Sequence, residues 1–283
     1  LVNFEVLTTD DVGSVAIELM DTQNISTTSN VAPYTLFGNN GSDYLGNTLP
    51  SGTYTLIVTP YSEDNQTGTA GNPFVLNFKI LDDPAKSFIT TWRIDSPGYV
   101  TIRTIPGEHY YYTIQWSNGL TAGGVSGNTT RYFDEPGTYT ITISGRFPGI
   151  VMEGNEHAQN LISIDQWGDM DWASMEGAFT GCSNLEILAT DVPDLSNVES
   201  MARMFQGCSS LNGASNMSSW DVGNVTNMSN TFKNAALFNQ DVTGWDVSNV
   251  SNMAGMFEGA NGMNQNLAGW DISQVLDMGN MFD

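Results

Sequence analysis

Between residues 220 and 282 the chain writes one pattern three times, and a repeat constrains a fold more tightly than composition does. Trp220-Asp221-Val222, Trp245-Asp246-Val247 and Trp270-Asp271-Ile272 recur in 25-residue steps. Each is followed by an apolar triplet: Val225, Met228 and Phe232; Val250, Met253 and Phe257; Val275, Met278 and Phe282. The internal spacing of three and four continues upstream in Val198, Met201, Phe205 and in Trp172, Met175, Phe179, at steps of 27 and 26. Five such rungs imply units that bury an apolar face only by stacking on their neighbours.

Residues at i, i+3 and i+7 share one side of a helix, so Val-x-x-Met-x-x-x-Phe predicts a two-turn helix pinned to a core. Ser248 and Asn249 before Val250, and Gly223 and Asn224 before Val225, offer cap residues for its first turn. After the Phe comes a Gly-rich turn. Then Leu185-Glu186-Ile187-Leu188, or Phe238 to Val242, alternates as a half-buried strand does. One short helix and one short strand per rung predicts an α/β solenoid on the leucine-rich-repeat plan. Rungs differ in length between the residue opening the strand and the Trp-Asp pair, which marks that stretch as a loop side.

Ala178-Phe179-Thr180-Gly181-Cys182-Ser183-Asn184-Leu185 and Met204-Phe205-Gln206-Gly207-Cys208-Ser209-Ser210-Leu211 resemble the Ala-Phe-x-Gly-Cys-x-x-Leu core of BspA-like leucine-rich repeats. The Trp-Asp-Val-Ser-Asn-Val-x-x-Met variant is similar to the branch of that family found in bacterial surface lipoproteins. Later rungs depart from it, with Asn234-Ala235 and Gly259-Ala260 where Gly-Cys would stand. The resemblance implies a secreted or surface-displayed protein that adheres to host proteins or other cells.

Upstream of the repeats, strand and turn signals dominate. In residues 1–82, Val15 to Leu19, Thr53 to Val58 and Phe74 to Ile80 alternate between Gly, Pro, Asn and Asp clusters, which predicts an antiparallel sandwich. Leu49-Pro50-Ser51-Gly52-Thr53-Tyr54-Thr55-Leu56 resembles the corner of immunoglobulin-like modules in bacterial surface proteins. Residues 83–148 repeat that corner as Glu135-Pro136-Gly137-Thr138-Tyr139. There, Tyr112 to Gly119 resembles the Trp-containing strand of polycystic-kidney-disease-type domains, with Ser117-Asn118 replacing the Gly-Asp of that family. The fold expected is multidomain: two all-β immunoglobulin-like sandwiches, then an α/β leucine-rich-repeat solenoid over residues 149–283.

The charge narrows the partners. Eight Lys and Arg stand against 31 Asp and Glu, a formal net charge of -23 that repels nucleic acid and anionic lipid. No apolar run reaches the length of a membrane span. The chain opens on Leu1 without an export signal and stops at Met281-Phe282-Asp283, inside a rung. It is therefore expected to be a piece of a longer, extracellular, bacterial cell-surface protein, monomeric and without membrane insertion of its own.

Candidate chemistry is sparse. Cys182 and Cys208 occupy equivalent places in adjacent rungs and read as a free buried pair or a disulfide. His109 and His157 sit in different segments. Asp221, Asp246 and Asp271 read as Asx-type caps of their turns, with calcium bridging as the alternative. Asp10 with Asp11, Glu63 with Asp64, and Asp82 with Asp83 are further oxygen clusters. No cofactor is required, and Ca²⁺ is left open, first at Asp82 and Asp83. Trp220, Trp245 and Trp270 read as a packed column or, if exposed, a sugar-stacking strip.

No nucleophile elbow, phosphate loop or metal constellation appears, and Glu108, Glu153 and Glu156 have no motif around them, so a non-catalytic role is expected. Binding is assigned to a polar row one rung apart, Asn239-Gln240-Asp241 and Asn264-Gln265-Asn266, whose amides suit a peptide backbone or sugar hydroxyls. That row reads equally as an internal Asn ladder. The partner expected is an extracellular protein. The alternative is a glycan, held by a carbohydrate-binding module with exposed aromatics such as Tyr34, Tyr44 and Tyr61.

Overall fold

The computed structural model describes residues 4–8, 12–20, 25–32, 34–40, 43–44, 49, 52–80, 86–214 and 216–283. They form two compact units, Leu1–Asp82 and Asp83–Asp283.

In the first unit the strands are β1 (Glu5–Val6), β2 (Ser14–Met20), β3 (Ile25–Ser29), β4 (Tyr34–Thr35), β5 (Asn39–Asn40), β6 (Asp43–Tyr44), β7 (Gly52–Tyr61) and β8 (Phe74–Ile80). An antiparallel sheet runs β3-β2-β7-β8, and β1 pairs with β4 and β5 with β6. Alternation places Ile17 opposite Val58 and Leu19 opposite Leu56, all buried. Such cross-strand apolar pairs are the unit of sheet stability. Tyr54, the tyrosine of the first corner, is buried and stacks on Phe78 at 5.4 Å.

The second unit begins with β9 (Phe88–Ile94), β10 (Gly98–Ile102), β11 (Tyr111–Trp116), β12 (Thr121–Val125), β13 (Thr129–Phe133) and β14 (Gly137–Arg146). At its corner, the Tyr139 hydroxyl donates to the Glu135 carbonyl at 2.8 Å. The sheet does not end with this segment. Strand β15 (Leu161–Gln166) pairs antiparallel with β9, and β16 (Glu186–Ile187) pairs parallel with β15. The six-stranded order is β12-β11-β14-β9-β15-β16, with β10 and β13 as a separate antiparallel pair. One apolar core runs through the unit, from Phe88 and Trp92 through Trp167 and Trp172 to Phe257 and Trp270.

The expected α/β leucine-rich-repeat solenoid is not the fold. Among the described residues there is no α-helix, only short 3₁₀ turns, and the protein is nearly all β in several sheets. The backbone explains why the predicted rung helix does not form. Gly177, Gly181, Arg203, Gly207, Asn230, Asn234, Gly255, Gly259 and Asn280 all have positive φ, so each of the first four rungs carries two left-handed residues four positions apart and the fifth carries one. A right-handed helix cannot continue through such residues. Each turn instead closes i→i+3 bonds, as from Ala178 N to Met175 O and from Cys182 N to Phe179 O, both 3.1 Å. Intervening amides point out of the rung: Met201, Arg203, Phe205 and Gly207 donate to carbonyls of Asn227, Ser229, Thr231 and Lys233 at 2.7–2.9 Å.

The predicted rung strands are corrected as well. Only the first rung contributes one, the two-residue β16; Phe238 to Val242 forms none. Between rungs the extended pairing shrinks to single parallel bridges, Ser200 to Asn227 to Asn252 to Asp277.

The apolar triplets still face inward. Phe179, Phe205, Phe232, Phe257 and Phe282 form an offset-stacked column with centroids 5.5–5.7 Å apart. Burial follows from having a neighbour on both sides: Phe257 is 2% exposed, while Phe282 in the last rung is 63% exposed.

Candidate functional site

The polar row assigned from sequence lies on adjacent rungs, where the buried Phe238 and Val242, and then the half-buried Met263 and Leu267, alternate with outward positions. Asn239, Asp241, Asn264 and Asn266 are exposed; Gln240 and Gln265 are half-buried. Part of the row is internal structure. The Asn239 side-chain oxygen accepts the Asn264 backbone N–H at 2.8 Å, and Gln265 Nε2 donates to the Asn239 carbonyl and side-chain oxygen at 2.9 and 3.0 Å. Asp241 accepts the Thr243 amide at 2.9 Å and hydroxyl at 2.6 Å, and Asn266 accepts the Ala268 amide at 3.1 Å. Gln240 lays its stem across Gly213 of the preceding rung, a place only a residue without Cβ leaves open. Asn212, exposed one rung earlier, shares the phase of Asn239 and Asn264, which its distance from Leu211 signals in the sequence.

The acidic column is a set of turn caps. Asp221, Asp246 and Asp271 accept the amides of Gly223, Ser248 and Ser273 at 3.0–3.1 Å. Asp194, not singled out from sequence, extends it one rung earlier by accepting the Ser196 amide at 3.0 Å. Its signal was Leu195-Ser196-Asn197-Val198 standing in phase with Val222-Gly223-Asn224-Val225. Hydrogen bonds from the Ser196 hydroxyl and amide hold the Asp194 carboxyl below the usual carboxylate range. Ser248 does the same for Asp246, and Ser273, amide first, for Asp271. A hydrogen bond to the charged form favours it.

Residues 149–283 hold seventeen acidic side chains and two basic ones. Both cations are paired. Arg203 reaches Glu153 at 3.0 Å and Glu176 at 2.8 Å, and Lys233 reaches Glu258 at 2.7 Å. Asp169 pairs with Lys86 at 3.0 Å, and the acidic excess that is left makes the stack repel polyanions.

Other sequence candidates resolve into structure. Cys182 and Cys208 are free and buried, and burial pushes both thiols well above their ordinary range. Trp220, Trp245 and Trp270 are buried, with the indoles of Trp245 and Trp270 donating to the Met217 and Val242 carbonyls at 2.9 and 3.0 Å. A sugar-stacking strip is therefore excluded there. Tyr34 is buried rather than exposed, and Tyr61 is half-buried. His157 lies beside Glu156 at 3.6 Å. Asp82, Asp83, Asp10 and Asp11 lie outside the described residues, as does the Tyr44 side chain. Among the described residues, no three His, Cys, Asp or Glu side chains gather as a metal site.

Each unit also has a concavity. An apolar groove of about 590 Å³ in the first unit is lined by Phe4, Leu7, Leu56, Val58, Phe74 and Leu76. A polar hollow of about 430 Å³ lies between two rungs, formed by Ser196, Asn197, Glu199, Asn224 and Thr226. Neither gathers the facing carboxylates or nucleophile and base that catalysis would require.

Residues 173–283 match the family model described as "Mycoplasma protein of unknown function, DUF285". That match, together with the absence of any α-helix among the described residues, corrects the resemblance to BspA-like leucine-rich repeats preceded by immunoglobulin-like and polycystic-kidney-disease-type modules. No curated protein and no solved structure matches the chain. Among the described residues no helix is long and apolar enough to cross a membrane.

Proposed function

We propose that this chain is a non-catalytic binding module of an extracellular or cell-surface bacterial protein, and that it holds a protein partner on the polar row of its repeats. The supporting observation is the division of labour within the row. Asn239 and Gln265 are tied to each other, while Asn264 is exposed beside them and Gln240 rests its stem on Gly213, both with amides that can donate and accept. A repeating frame that presents amides at rung spacing suits an extended backbone, whose own donors and acceptors recur regularly. The anionic surface keeps nucleic acid and anionic lipid away.

The test compares two double variants for retention on intact cells. Gln240→Ala with Asn264→Ala should abolish retention and, since Gln240 loses only its packing on Gly213, lower the melting temperature less than the second pair does. Asn239→Ala with Gln265→Ala should lower the melting temperature. Protease treatment of the cells should remove binding, and periodate treatment should not. Retention by the first variant equal to wild type would refute the assignment.

A further inference from the structure

We infer that the β10–β13 ribbon carries a stacking platform for a neutral polysaccharide, at Tyr99 and Tyr132. The proposal is independent of the polar row, since it concerns another segment and another class of ligand.

Tyr99 and Tyr132 are directly opposed in the antiparallel register. Their rings lie 4.9 Å apart, tilted by 60°, and are 51% and 50% exposed. Elsewhere in this unit, by contrast, the Trp and Phe rings of the interior rungs are buried. The opposite face of the ribbon is sealed by Val100, Ile102 and Phe133, and the Arg131 guanidinium lies over the Trp116 and Phe133 rings at 6.0 and 5.5 Å. The two tyrosines are thus mounted on a packed support and need little ordering on binding.

Their surroundings select the ligand. Two residues along each strand, Thr101 and Thr130 stand opposite one another with their hydroxyls 3.1 Å apart. Beyond them the exposed Asn128 accepts from the Thr104 amide and hydroxyl at 2.8 and 2.9 Å. Rings followed by hydroxyls and an amide match a pyranose chain, whose C–H faces stack on aromatics and whose hydroxyls both donate and accept.

Charge supports the same choice. Residues 86–148 hold five of the eight basic side chains and four of the 31 acidic ones, and strands β10 and β13 carry no carboxylate. An uncharged polymer is attracted by neither sign and meets no desolvated carboxylate on this strip. A polyanion would still face the -23 charge of the whole chain.

A cross-strand tyrosine pair also stabilises its ribbon, so the test separates binding from folding. The full chain would be run through native gels containing a soluble β-glucan, a mannan or a galactan. At least one should retard the wild type. Tyr99→Thr with Tyr132→Thr, which keeps strand-forming residues, should weaken that binding about tenfold or more, the scale of a lost stacking contact. Tyr99→Phe with Tyr132→Phe should retain most of it. If the Thr variant melts early, Thr101→Val with Thr130→Val serves instead, with a smaller loss expected. No retardation in any gel, or equal retardation of wild type and the folded Thr variant, overturns the platform. So does binding through these tyrosines to a protease-sensitive partner alone.

Discussion

The sheet and the repeats of the second unit solve the same problem with opposite backbones. In the sheet, β9 is bonded on both sides through extended residues, to β14 and to β15, and register follows from alternation. In the repeats the backbone coils, yet alternate amides still bond across to the next rung because left-handed residues four positions apart in a rung turn them outward. Lateral hydrogen bonding therefore does not require extended strands. It requires a backbone whose donors leave the local turn, and here Gly and Asn provide that at places where a helix would have kept them.

The sharpest way to break this comparison is to remove a ring that both neighbours need. Phe232 touches Phe205, Phe238, Trp245 and Phe257, so Phe232→Ala should cost about 3–5 kcal/mol. Phe282→Ala, in the same column but exposed, should stay within about 0.5 kcal/mol. Denaturant titration measures both. Because sheet and repeats share one core, the Phe232 variant should lower the whole second unit in one transition. Separate transitions for the sheet and the repeats would count against a shared core.

The left-handed positions give the next largest effect. At Gly207, with φ +77°, an added Cβ has its nearest neighbour 3.6 Å away, so a substitution there tests conformation and not crowding. Gly207→Ala should cost about 1–2 kcal/mol, the penalty of a Cβ in that region, and Gly207→Asn less. Gly137→Ala in β14 has no positive φ to defend and should lie within about 1 kcal/mol of zero.

Arg203 sharpens the point, since it fills a left-handed position that other rungs give to Gly or Asn. Its half-exposed ion pairs with Glu153 and Glu176 are worth only about 0.2–1 kcal/mol each. Arg203→Ala loses them and keeps the strain; Arg203→Gly loses them and relieves it. The Gly variant should therefore be the more stable in side-by-side melts.

The smallest effect is the acid response of the turn caps. Asp194, Asp246 and Asp271 have carboxyls held below their ordinary range, so their contribution is fully present above the unfolded carboxylate pKa. It is lost as the pH falls through the lower, folded values. Melting temperature should be flat through neutrality and start to decline near about pH 4. Asp246→Asn, which can still accept the Ser248 amide, should flatten part of that decline. An unchanged acid limb would show that the caps contribute nothing.

How much of this was legible in the residues differs by feature. The period and the Val-Met-Phe triplets pointed correctly to the buried column, because burial at i, i+3 and i+7 depends only on which side chains face inward. The helix did not follow from them. Gly177, Asn230, Gly255 and Asn280 stand two residues after each Met, and Gly181, Gly207, Asn234 and Gly259 two after each Phe. Those phases carried the left-handed signal, and Arg203 interrupts it. In the polar row, the phase of Asn239 and Asn264 was readable, whereas the bond that makes Asn239 a support appears only when rungs are brought together.

The sequence by itself determined the repeat, its inward column and its acidic surface, since these depend on spacing and charge counted along the chain. The tertiary structure alone decided that β15 joins the sheet through β9, some seventy residues away in the chain. It also decided that Tyr99 meets Tyr132 on an open face. The reason is that pairing partners are chosen by register and shared burial between distant segments, a competition that no local pattern encodes.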